Sequence, residues 1–412
     1  MAGRPQCRLC EAPLFHTFAD LGVSPLANRF LTSAQLNQME PFYPLHAYVC
    51  SDCLLVQLEE FESPEGIFTD YAYFASYSDS WVEHARVYTD MATARFRLGP
   101  SSRVVEIASN DGYLLQHFVA KGIPVLGIEP AANVAGAAIQ KGVPTLVEFF
   151  GEALARRLAE GGTGADLVVG NNVLAHVPAL NDFLAGMALL LRPGGTITME
   201  FPHLLNLIEE TQFDTIYHEH FSYFSLWTVE QAFARHGLQV FDVEELSTHG
   251  GSLRIYARHA SDPTAPVSRR IEGLREREKS AGLDRLGSYL SFGNRVKETK
   301  RNLLKVLIDL KRARKTIVGY GAPAKGNTLL NYCGIGSDFL DYTVDRSPHK
   351  QGRFLPGTHI PVCSPDRLAE TRPDYLLILP WNLTKEIVSQ MTHIRSWGGR
   401  FVVPVPTVEV LA

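Results

Sequence analysis

Several features typical of membrane, secreted and nucleic-acid-binding proteins are missing from this chain. No apolar run approaches the ~20 residues that a transmembrane helix needs. The opening MAGRPQCRLC contains no apolar core, so we expect no secretory signal and a cytoplasmic protein. The 39 basic and 44 acidic residues are interspersed and leave a net charge of −5. We therefore expect neither a nucleic acid nor a membrane as a partner.

The length and composition indicate a globular protein of more than one domain. A chain of 412 residues exceeds one ordinary hydrophobic core, so we expect two or three domains. Hydrophobic residues make up 45% and charged residues 20%, as in ordinary globular proteins. There are only six cysteines. In a reducing compartment they are expected to be ligands or free thiols rather than disulfides.

The N-terminal region contains two CxxC pairs, Cys7 with Cys10 and Cys50 with Cys53. Four thiolates are the ligand set of a tetrahedral structural zinc site, and each CxxC turn directs two sulfurs at one ion. All four coordination positions are then filled by protein, which leaves none for a substrate. The alternatives are four free cysteines or a redox CxxC, and we predict structural zinc.

Residues 103–143 have the pattern of a strand, a turn, a helix and a second strand. VVEI is predicted to be a buried strand, SNDG a turn and YLLQHFVAKG a helix that ends in glycine. The second strand, VLGIE, ends at Glu129, where a carboxylate can accept both ribose hydroxyls of a nucleoside. The turn is not G-x-G-x-x-G, and its Asp111 disfavours pyrophosphate but suits a cationic ligand. We therefore predict a class I S-adenosylmethionine site, with Glu106 and Asp111 near the amino acid end of the cofactor.

The alternation of strands and helices continues beyond this unit. A strand is predicted to run to Asn171 and Asn172, followed by a turn that contains His176, and LLRPGGTITMEFP gives a further turn and strand. This order fits a doubly wound sheet. Residues 275–315 are charged and periodic, and we predict that they form one long connecting helix with an apolar stripe.

A second nucleotide-like unit is predicted at residues 315–345. TIVGYG has the pattern of a strand and a glycine turn, a helical stretch follows, and LDYTVD is predicted to be a strand that ends at Asp345. The glycine pattern is incomplete, and Lys325 at a helix start would meet a phosphate directly. Together with Lys350 and Arg353 it would answer the charge of a nucleoside diphosphate. The alternative is a solvated basic loop.

The segment DTIYHEHFSYFS, residues 214–225, concentrates titratable and aromatic groups. A metal site, an acid–base site and a merely aromatic-rich segment are the alternatives. The segment lacks the helix-face H-E-x-x-H spacing of a zinc site. On a strand, Tyr217 and Glu219 would share one face and His220 would lie on the other. If the three act together, the segment must be a loop or a bulge.

Taken together, these motifs resemble those of nucleotide-sugar C-methyltransferases, in particular the dTDP-4-keto-deoxysugar C-3′-methyltransferases of antibiotic sugar pathways. The resemblance spans nearly the whole chain, and its specificity lies in the order and spacing of the motifs. They are the paired CxxC, EIxxNDGxLL, NxLxHxP, YxEHF, HGG at 249–251, GYGAxAK, CGIG at 333–336 and PGxxIPV at 356–362.

The resemblance implies an α/β protein of three domains. These are a zinc-binding N-terminal module at residues 1–66, a class I, Rossmann-like methyltransferase domain at 67–268, and a Rossmann-like domain at 269–412. The sugar nucleotide would bind in the cleft between the last two. Zinc and S-adenosyl-L-methionine are the implied cofactors.

The resemblance also implies roles for the residues at the reacting carbon. His220 matches the base that removes the proton from the carbon to be methylated, and Glu219 and Tyr217 would orient this base and the keto group. His176 matches a second active-site histidine, and Tyr71 matches a tyrosine that faces the sugar.

Binding residues follow from the two α/β units and the resemblance together. Phe149 and Phe150 would flank the adenine, the alternative being plain core. Ala108 departs from the family, whose members carry glycine there. The predicted cofactor residues are Glu106, Ala108, Asn110, Asp111, Gly112, Glu129, Pro130, Phe149, Phe150, Asn171 and Asn172, and the predicted substrate residues are His249, Lys325, Lys350 and Arg353.

Carbon methylation next to a ketone explains why these residue types occur together. The ketone lets the C–H proton be removed as an enolate, a histidine has a suitable pKa for this step, and a tyrosine hydroxyl can donate to the oxyanion. The rivals are an O-methyltransferase on a sugar nucleotide, an NAD-dependent nucleotide-sugar oxidoreductase, and a non-catalytic zinc-bearing module. The oligomeric state stays open, with a monomer as one option.

Overall fold

The computed structural model describes residues 5–68, 74–262 and 266–411. These residues fall into two compact units. The first unit comprises Met1–Leu14, Cys50–Leu204 and Phe221–Leu286, and the second comprises Phe15–Val49, Leu205–His220 and Gly287–Ala412. The units are discontinuous in sequence, and the division at residues 66 and 268 stays a prediction.

The first unit contains a seven-stranded sheet. Its five parallel strands are followed by one strand that runs antiparallel to both of its neighbours. The middle one of the five parallel strands, Val104–Ile107, is buried at all four positions, as expected for a strand covered on both faces. From edge to edge the order is Thr145–Leu146, Val125–Ile128, Val104–Ile107, Ala165–Asn171, Leu191–Pro202, Ser252–His259 and Leu238–Leu246.

Helices cover this sheet, and the longest is Asp79–Phe96. The Ser78 side chain caps it by accepting the amide of Trp81, and it ends at Arg97 in a left-handed conformation. The other helices whose residues lie in this unit are Pro64–Phe68, Leu115–Val119, Ala132–Gln140, Glu152–Glu160, Leu180–Leu190, Leu226–Ala234 and Arg269–Ser280. The short strands Val56–Leu58 and Ser222–Tyr223 pair antiparallel.

The second unit contains a six-stranded sheet with five parallel strands and an antiparallel edge strand. The order is Val362–Cys363, Thr343–Val344, Ile317–Tyr320, Tyr375–Ile378, Arg400–Val403 and Glu409–Leu411. The strands His16–Ser24 and Tyr43–Val49 pair antiparallel. The helices are Phe292–Arg312, Ala324–Cys333, Arg367–Thr371 and Thr384–Gln390, and the helices Leu204–Glu209 and Leu286–Leu290 each begin at the last residue of a first-unit segment.

The prediction of one long helix over residues 275–315 is wrong. The chain forms three helices there, Arg269–Ser280, Leu286–Leu290 and Phe292–Arg312. The first ends because Gly282 adopts a positive φ of 80°, a conformation that glycine reaches without steric cost. The predicted apolar stripe is present in the last helix, where four residues are buried on one face: Phe292, Val296, Leu303 and Leu307.

Within the three described ranges, none of the helices combines the length and apolar character that crossing a membrane requires.

Candidate functional site

The four predicted zinc ligands converge in the first unit. The Sγ atoms of Cys7, Cys10, Cys50 and Cys53 all lie within 4.8 Å of one another, with 3.5 Å between Cys7 and Cys53 and between Cys10 and Cys50. Four sulfurs at 2.3 Å from a tetrahedral zinc are about 3.8 Å apart, so the arrangement fits the ion. Gln57 donates through Nε2 to Cys7 Sγ at 3.1 Å, a contact that stabilises a thiolate.

The turn that follows the Val104–Ile107 strand of the first unit has an unusual backbone. Ala108, Asn110 and Gly112 all have positive φ, at 55°, 49° and 76°. Glu129, which follows the neighbouring strand, holds this turn, because its Oε2 accepts the Asn110 amide at 3.0 Å. Its Oε1 accepts the Ala131 amide at 2.9 Å. Burial raises the pKa of Glu129, and these two bonds oppose the shift.

Asp111 already has a cation of the protein as its partner. Lys141 Nζ lies 3.0 Å from Asp111 Oδ2 and donates to Ser76 Oγ at 2.7 Å. The backbone amides of Ala75 and Ser76 donate to the side chains of Asn110 and Asp111, at 2.8 and 3.3 Å. The idea that Asp111 attracts the cationic end of the cofactor therefore has to include Lys141, which offsets its charge.

Glu106 lies inside the sheet and is 0% exposed. Its carboxyl oxygens find no hydrogen-bond partner in the part of the chain that the structure describes. Burial, followed by the nearby carboxylates of Glu129 and Asp111, raises the pKa of Glu106 well above its ordinary value. The environment of Glu106 thus favours its protonated, neutral form.

The remaining predicted cofactor residues lie in or after the sheet strands. Asn171 ends the Ala165–Asn171 strand, and its Nδ2 is 3.5 Å from Tyr113 Oη. Asn172 has a φ of 54° and donates its amide to the Glu200 carbonyl at 2.7 Å. Of the aromatic pair, Phe149 is 43% exposed. Its neighbour Phe150 packs edge-on against Phe183 at 5.3 Å, and Pro130 is half-buried.

A charged network at the carboxyl edge of the same sheet was not predicted. Glu200 Oε2 lies 2.9 Å from both His84 Nε2 and Arg254 Nη2, and Thr248 donates to Oε1 at 2.9 Å. Burial opposes ionisation of Glu200, but His84 and Arg254 lower its pKa overall. The sequence predicts a strand in the LLRPGGTITMEFP run that contains Glu200. Only the register of this strand opposite Arg254 reveals the ion pair between Glu200 and Arg254.

Aromatic rings join this network to the predicted substrate residue His249. Trp81 stacks on His84 at 4.8 Å and on Tyr113 at 6.0 Å, and the ring of His249 meets Trp81 edge-on at 5.0 Å. His249 has a φ of 55°. His176, predicted beside the reacting carbon, ends the short helix Leu174–His176 and is half-buried.

Residues 216–221 of the DTIYHEHFSYFS segment form a loop around His220, as required if these residues act together. In the second unit, Tyr217 Oη is 2.7 Å from His220 Nε2, and His220 Nδ1 is 3.0 Å from the Thr215 carbonyl oxygen. A carbonyl only accepts, so we assign the proton to Nδ1 and the lone pair to Nε2. Nε2 then accepts from the tyrosine hydroxyl. His220 is 9% exposed.

The predicted partner of Glu219 is wrong, because Glu219 bonds to Asn28 rather than to His220. Both carboxylate oxygens of Glu219 accept from Asn28 Nδ2, at 2.8 and 3.0 Å, and the far nitrogen of His220 is held by Thr215. Burial raises the pKa of Glu219 to about 7, and the bond from Asn28 lowers it in part. His218 Nε2 contacts the Pro44 carbonyl at 3.1 Å.

The predicted phosphate-binding Lys325 lies in the first turn of the Ala324–Cys333 helix. Its Nζ donates to Asn382 Oδ1 at 2.8 Å and lies 4.6 Å from the centre of the Trp381 ring. Trp381 Nε1 donates to Asp214 Oδ2 at 2.7 Å. Burial lowers the pKa of Lys325 and raises that of Asp214 to about 6, and each charge opposes the shift of the other.

Asp345 holds the loop that precedes this helix. Its Oδ2 accepts the Ala322 amide at 2.8 Å, and its Oδ1 accepts the Ser347 amide at 2.8 Å. Lys350 Nζ donates to the Ala322 carbonyl at 2.8 Å, so the structure brings this lysine to the predicted loop. Arg353 is exposed. The predicted sugar-facing Tyr71 lies outside the described residues.

Comparison with known families matches three domain models. They are a zinc binding domain at residues 7–68, a methyltransferase domain at 81–243 and a C-methyltransferase C-terminal domain at 247–406. The models follow the predicted order of zinc module, class I methyltransferase fold and C-terminal α/β domain, and confirm that fold class.

Individual proteins give matches of different extent. The chain is 36% identical over 407 residues to the C-methyltransferase NovU of Streptomyces niveus, which covers 99% of this chain and 97% of that protein. It is 34% identical over 100 residues to a ubiquinone biosynthesis O-methyltransferase of Burkholderia thailandensis, over 24% of this chain and 43% of that protein. Magnesium protoporphyrin IX methyltransferase from Synechocystis PCC 6803 with bound SAH aligns with 43% of this chain and 82% of its own, at 17% identity and a TM-score of 0.35.

Proposed function

Because this chain belongs to the C-methyltransferase family that includes NovU and is an S-adenosylmethionine-dependent methyltransferase, we propose that it methylates the carbon next to the ketone of a dTDP-4-keto-deoxysugar. The reaction would serve deoxysugar biosynthesis. S-adenosylmethionine, when bound, supplies the methyl group on a sulfonium. Zinc is structural, because the four cysteines fill its coordination sphere.

His220 is the base that this reaction needs. The observation that carries the proposal is its fixed tautomer, with the Thr215 carbonyl 3.0 Å from Nδ1, which leaves the Nε2 lone pair to take a proton. Nε2 removes the proton from the carbon next to the ketone, the C–H electron pair forms a C=C bond to the carbonyl carbon, and the C=O π pair moves to the ketone oxygen. A positioned base of this kind contributes about 10²–10⁴ in rate.

Tyr217 serves the oxyanion. Its hydroxyl donates to His220 Nε2 at 2.7 Å before substrate binds, and it turns to the developing enolate oxygen when the substrate occupies the site. This movement frees Nε2 at the moment that the oxygen becomes negative. Glu219, with a pKa of about 7, keeps the charge of the loop low, because much of it is protonated at neutral pH. The family resemblance assigns His176 and Tyr71 to the sugar as well.

The two α/β units bind different parts of the reactants. Glu129 and the 108–112 turn hold the cofactor, with the ribose on Glu129 and the adenine beside Phe149. Lys325 and Lys350 hold the diphosphate. This assignment of the two lysines is supported by their position next to the loop between strand and helix, where each donates a hydrogen bond of 2.8 Å.

Incubation with methyl-labelled S-adenosylmethionine and a panel of 4-keto nucleotide sugars tests this function. We expect label in the sugar and a new C–CH₃ signal by NMR. An O–CH₃ signal, or transfer to none of the 4-keto sugars, would contradict the proposal.

A further inference from the structure

One arginine inside the first zinc knuckle contacts three separate pieces of the first unit. Arg8 directly follows the zinc ligand Cys7. Its guanidinium donates through Nη1 to the Pro178 carbonyl at 2.9 Å and through Nη2 to the Leu58 carbonyl. The same group lies 5.4 Å from the centre of the Phe221 ring, which is completely buried.

Two of these three contacts lie close in the chain to a residue of the proposed substrate site. Phe221 directly follows His220 in the chain, and Pro178 is two residues after His176. The two histidine segments are also joined directly, because the Phe221 amide donates to the Ala175 carbonyl at 2.7 Å. Arg8 therefore contacts both segments, and no intervening side chain is needed for this link.

Gln57 connects the same arginine to the sulfur. Its Oε1 accepts the Arg8 amide at 2.9 Å while its Nε2 donates to Cys7 Sγ at 3.1 Å. Gln57 is paired with Ser222 across the two short strands, and the Leu58 amide donates to the Phe221 carbonyl at 3.0 Å. The metal ligand, the arginine and the strand that continues from the YHEHF box thus form one hydrogen-bonded assembly.

We propose that Arg8 is a positioning residue that fixes the chain directly after His220 and the chain directly after His176 to the zinc knuckle. The proposal rests on the function proposed above and extends the role of the zinc module from local folding to alignment of the base. A planar guanidinium suits this task, because it donates to two carbonyls in different directions while its face packs on an aromatic ring. Lysine can offer only a point charge.

The test compares Arg8→Met, Arg8→Lys and the control Arg235→Met in the full-length zinc-loaded protein. Methionine keeps an apolar chain against Phe221 but cannot donate to the Leu58 and Pro178 carbonyls. Arg235 is an exposed arginine that contacts the same knuckle, at 3.5 Å from the Leu9 carbonyl, so it matches the chemistry of the variant. The readouts are zinc content, S-adenosylmethionine affinity, amide hydrogen exchange and turnover.

We expect Arg8→Met to keep its zinc and its S-adenosylmethionine affinity. Exchange of the Phe221 and Ser222 amides should become about tenfold faster. The kcat on a 4-keto nucleotide sugar should fall about 10–100-fold with little change in KM. Arg8→Lys should recover part of both effects, and Arg235→Met should show neither.

Unchanged exchange at these amides in a variant that keeps its zinc would overturn the proposal, as would loss of zinc in step with the loss of turnover. If Arg8→Met does not fold, the same readouts on Arg8→Lys decide. Faster exchange in a chain that transfers methyl to none of the 4-keto sugars would support the coupling and reject the proposed substrate. The two failures are therefore distinguishable.

Discussion

In both sheets of this protein, an acidic residue after one strand holds the loop that follows the neighbouring strand. In the first unit Glu129, after the second strand, accepts the amide of Asn110 in the first loop at 3.0 Å. In the second unit Asp345 stands in the same place and accepts the amide of Ala322 at 2.8 Å. Each acid also accepts the amide two residues further along the chain, at 2.9 and 2.8 Å.

The two loops differ in the ionisable side chains that lie near these acids. The first has the carboxyl groups of Glu106 and Asp111, with one lysine as partner. The second has Lys325 and Lys350. Under the proposed function, the shared strand–loop–helix frame sets where each ligand binds, and the added side chains select between a sulfonium cofactor and a diphosphate.

Glu219→Gln has the largest expected effect. It tests whether a buried acid that accepts no backbone amide of such a loop lowers the free energy of unfolding when it is ionised. The folded pKa of Glu219 is about 7 and its ordinary value is 4.5. The protonated form is therefore favoured on folding, and this stability is fully present below pH 4.5 and lost as pH rises through 7. Above pH 7 the variant should be more stable than the parent by up to about 3 kcal/mol.

Urea unfolding at pH 5 and pH 8 checks this expectation, with the exposed Glu276→Gln as control. Glutamine keeps one oxygen that can accept from Asn28 Nδ2, so one of the two contacts of Glu219 is retained. Equal differences between variant and parent at the two pH values would show that Glu219 is ionised in the folded protein throughout.

Lys325→Met should remove one of the two lysine charges that distinguish the loop of the second unit. A charge-assisted bond to phosphate contributes about 1.5–3 kcal/mol, so dTDP should bind roughly 10–100-fold more weakly. S-adenosylmethionine affinity should not change. Calorimetric titration of both ligands checks this, with the exposed Lys305→Met as a control of equal charge. Weaker cofactor binding and unchanged dTDP binding would reverse the assignment of the two loops.

Glu129→Gln should disrupt the loop that Glu129 holds in the first unit and leave the loop of the second unit unchanged. One carboxylate oxygen is replaced by an NH₂ group, which cannot accept the amide that it faces. We expect S-adenosylmethionine to bind about tenfold more weakly, as for one lost hydrogen bond to a charged group. The matched change Asp345→Asn should weaken dTDP binding and leave the cofactor affinity unaltered. A cofactor effect from Asp345→Asn would mean that the two frames are not independent.

Ala108→Gly should have the smallest effect. Ala108 has a φ of 55°, whereas the second loop uses Gly321 at 86°. Left-handed backbone costs a non-glycine residue about 1–2 kcal/mol, and glycine loses part of that gain through unfolded-chain entropy. The free energy of unfolding should rise by up to about 1 kcal/mol. A fall measured by urea denaturation would show that the alanine methyl contributes packing that outweighs the strain.

The parts of the fold set by local pattern were predictable from sequence. The strand at Val104–Ile107, the acid at Glu129 and the strand–helix unit at 317–333 follow from apolar runs, glycines and short spacings. The zinc site was predictable as well, because CxxC fixes two ligands within one turn and only one further pairing remains.

Contacts between distant residues were not predictable. Glu219 bonds to Asn28, 191 positions away, and Arg254 reaches Glu200 across 54 positions. Many polar partners compete for such acids, and only the folded backbone decides among them. The break of the predicted 275–315 helix was signalled by Gly282, but charged periodicity on both sides concealed it.

The most direct test of the central claim, that His220 removes a proton from the carbon next to a ketone, is solvent exchange without the methyl donor. The enzyme is mixed with a dTDP-4-keto-deoxysugar in D₂O, and deuterium at that carbon is followed by NMR. The parent should exchange it, and His220→Ala should be slower by about 10²–10⁴ while binding S-adenosylmethionine as before. Exchange at the parental rate in His220→Ala would contradict the account.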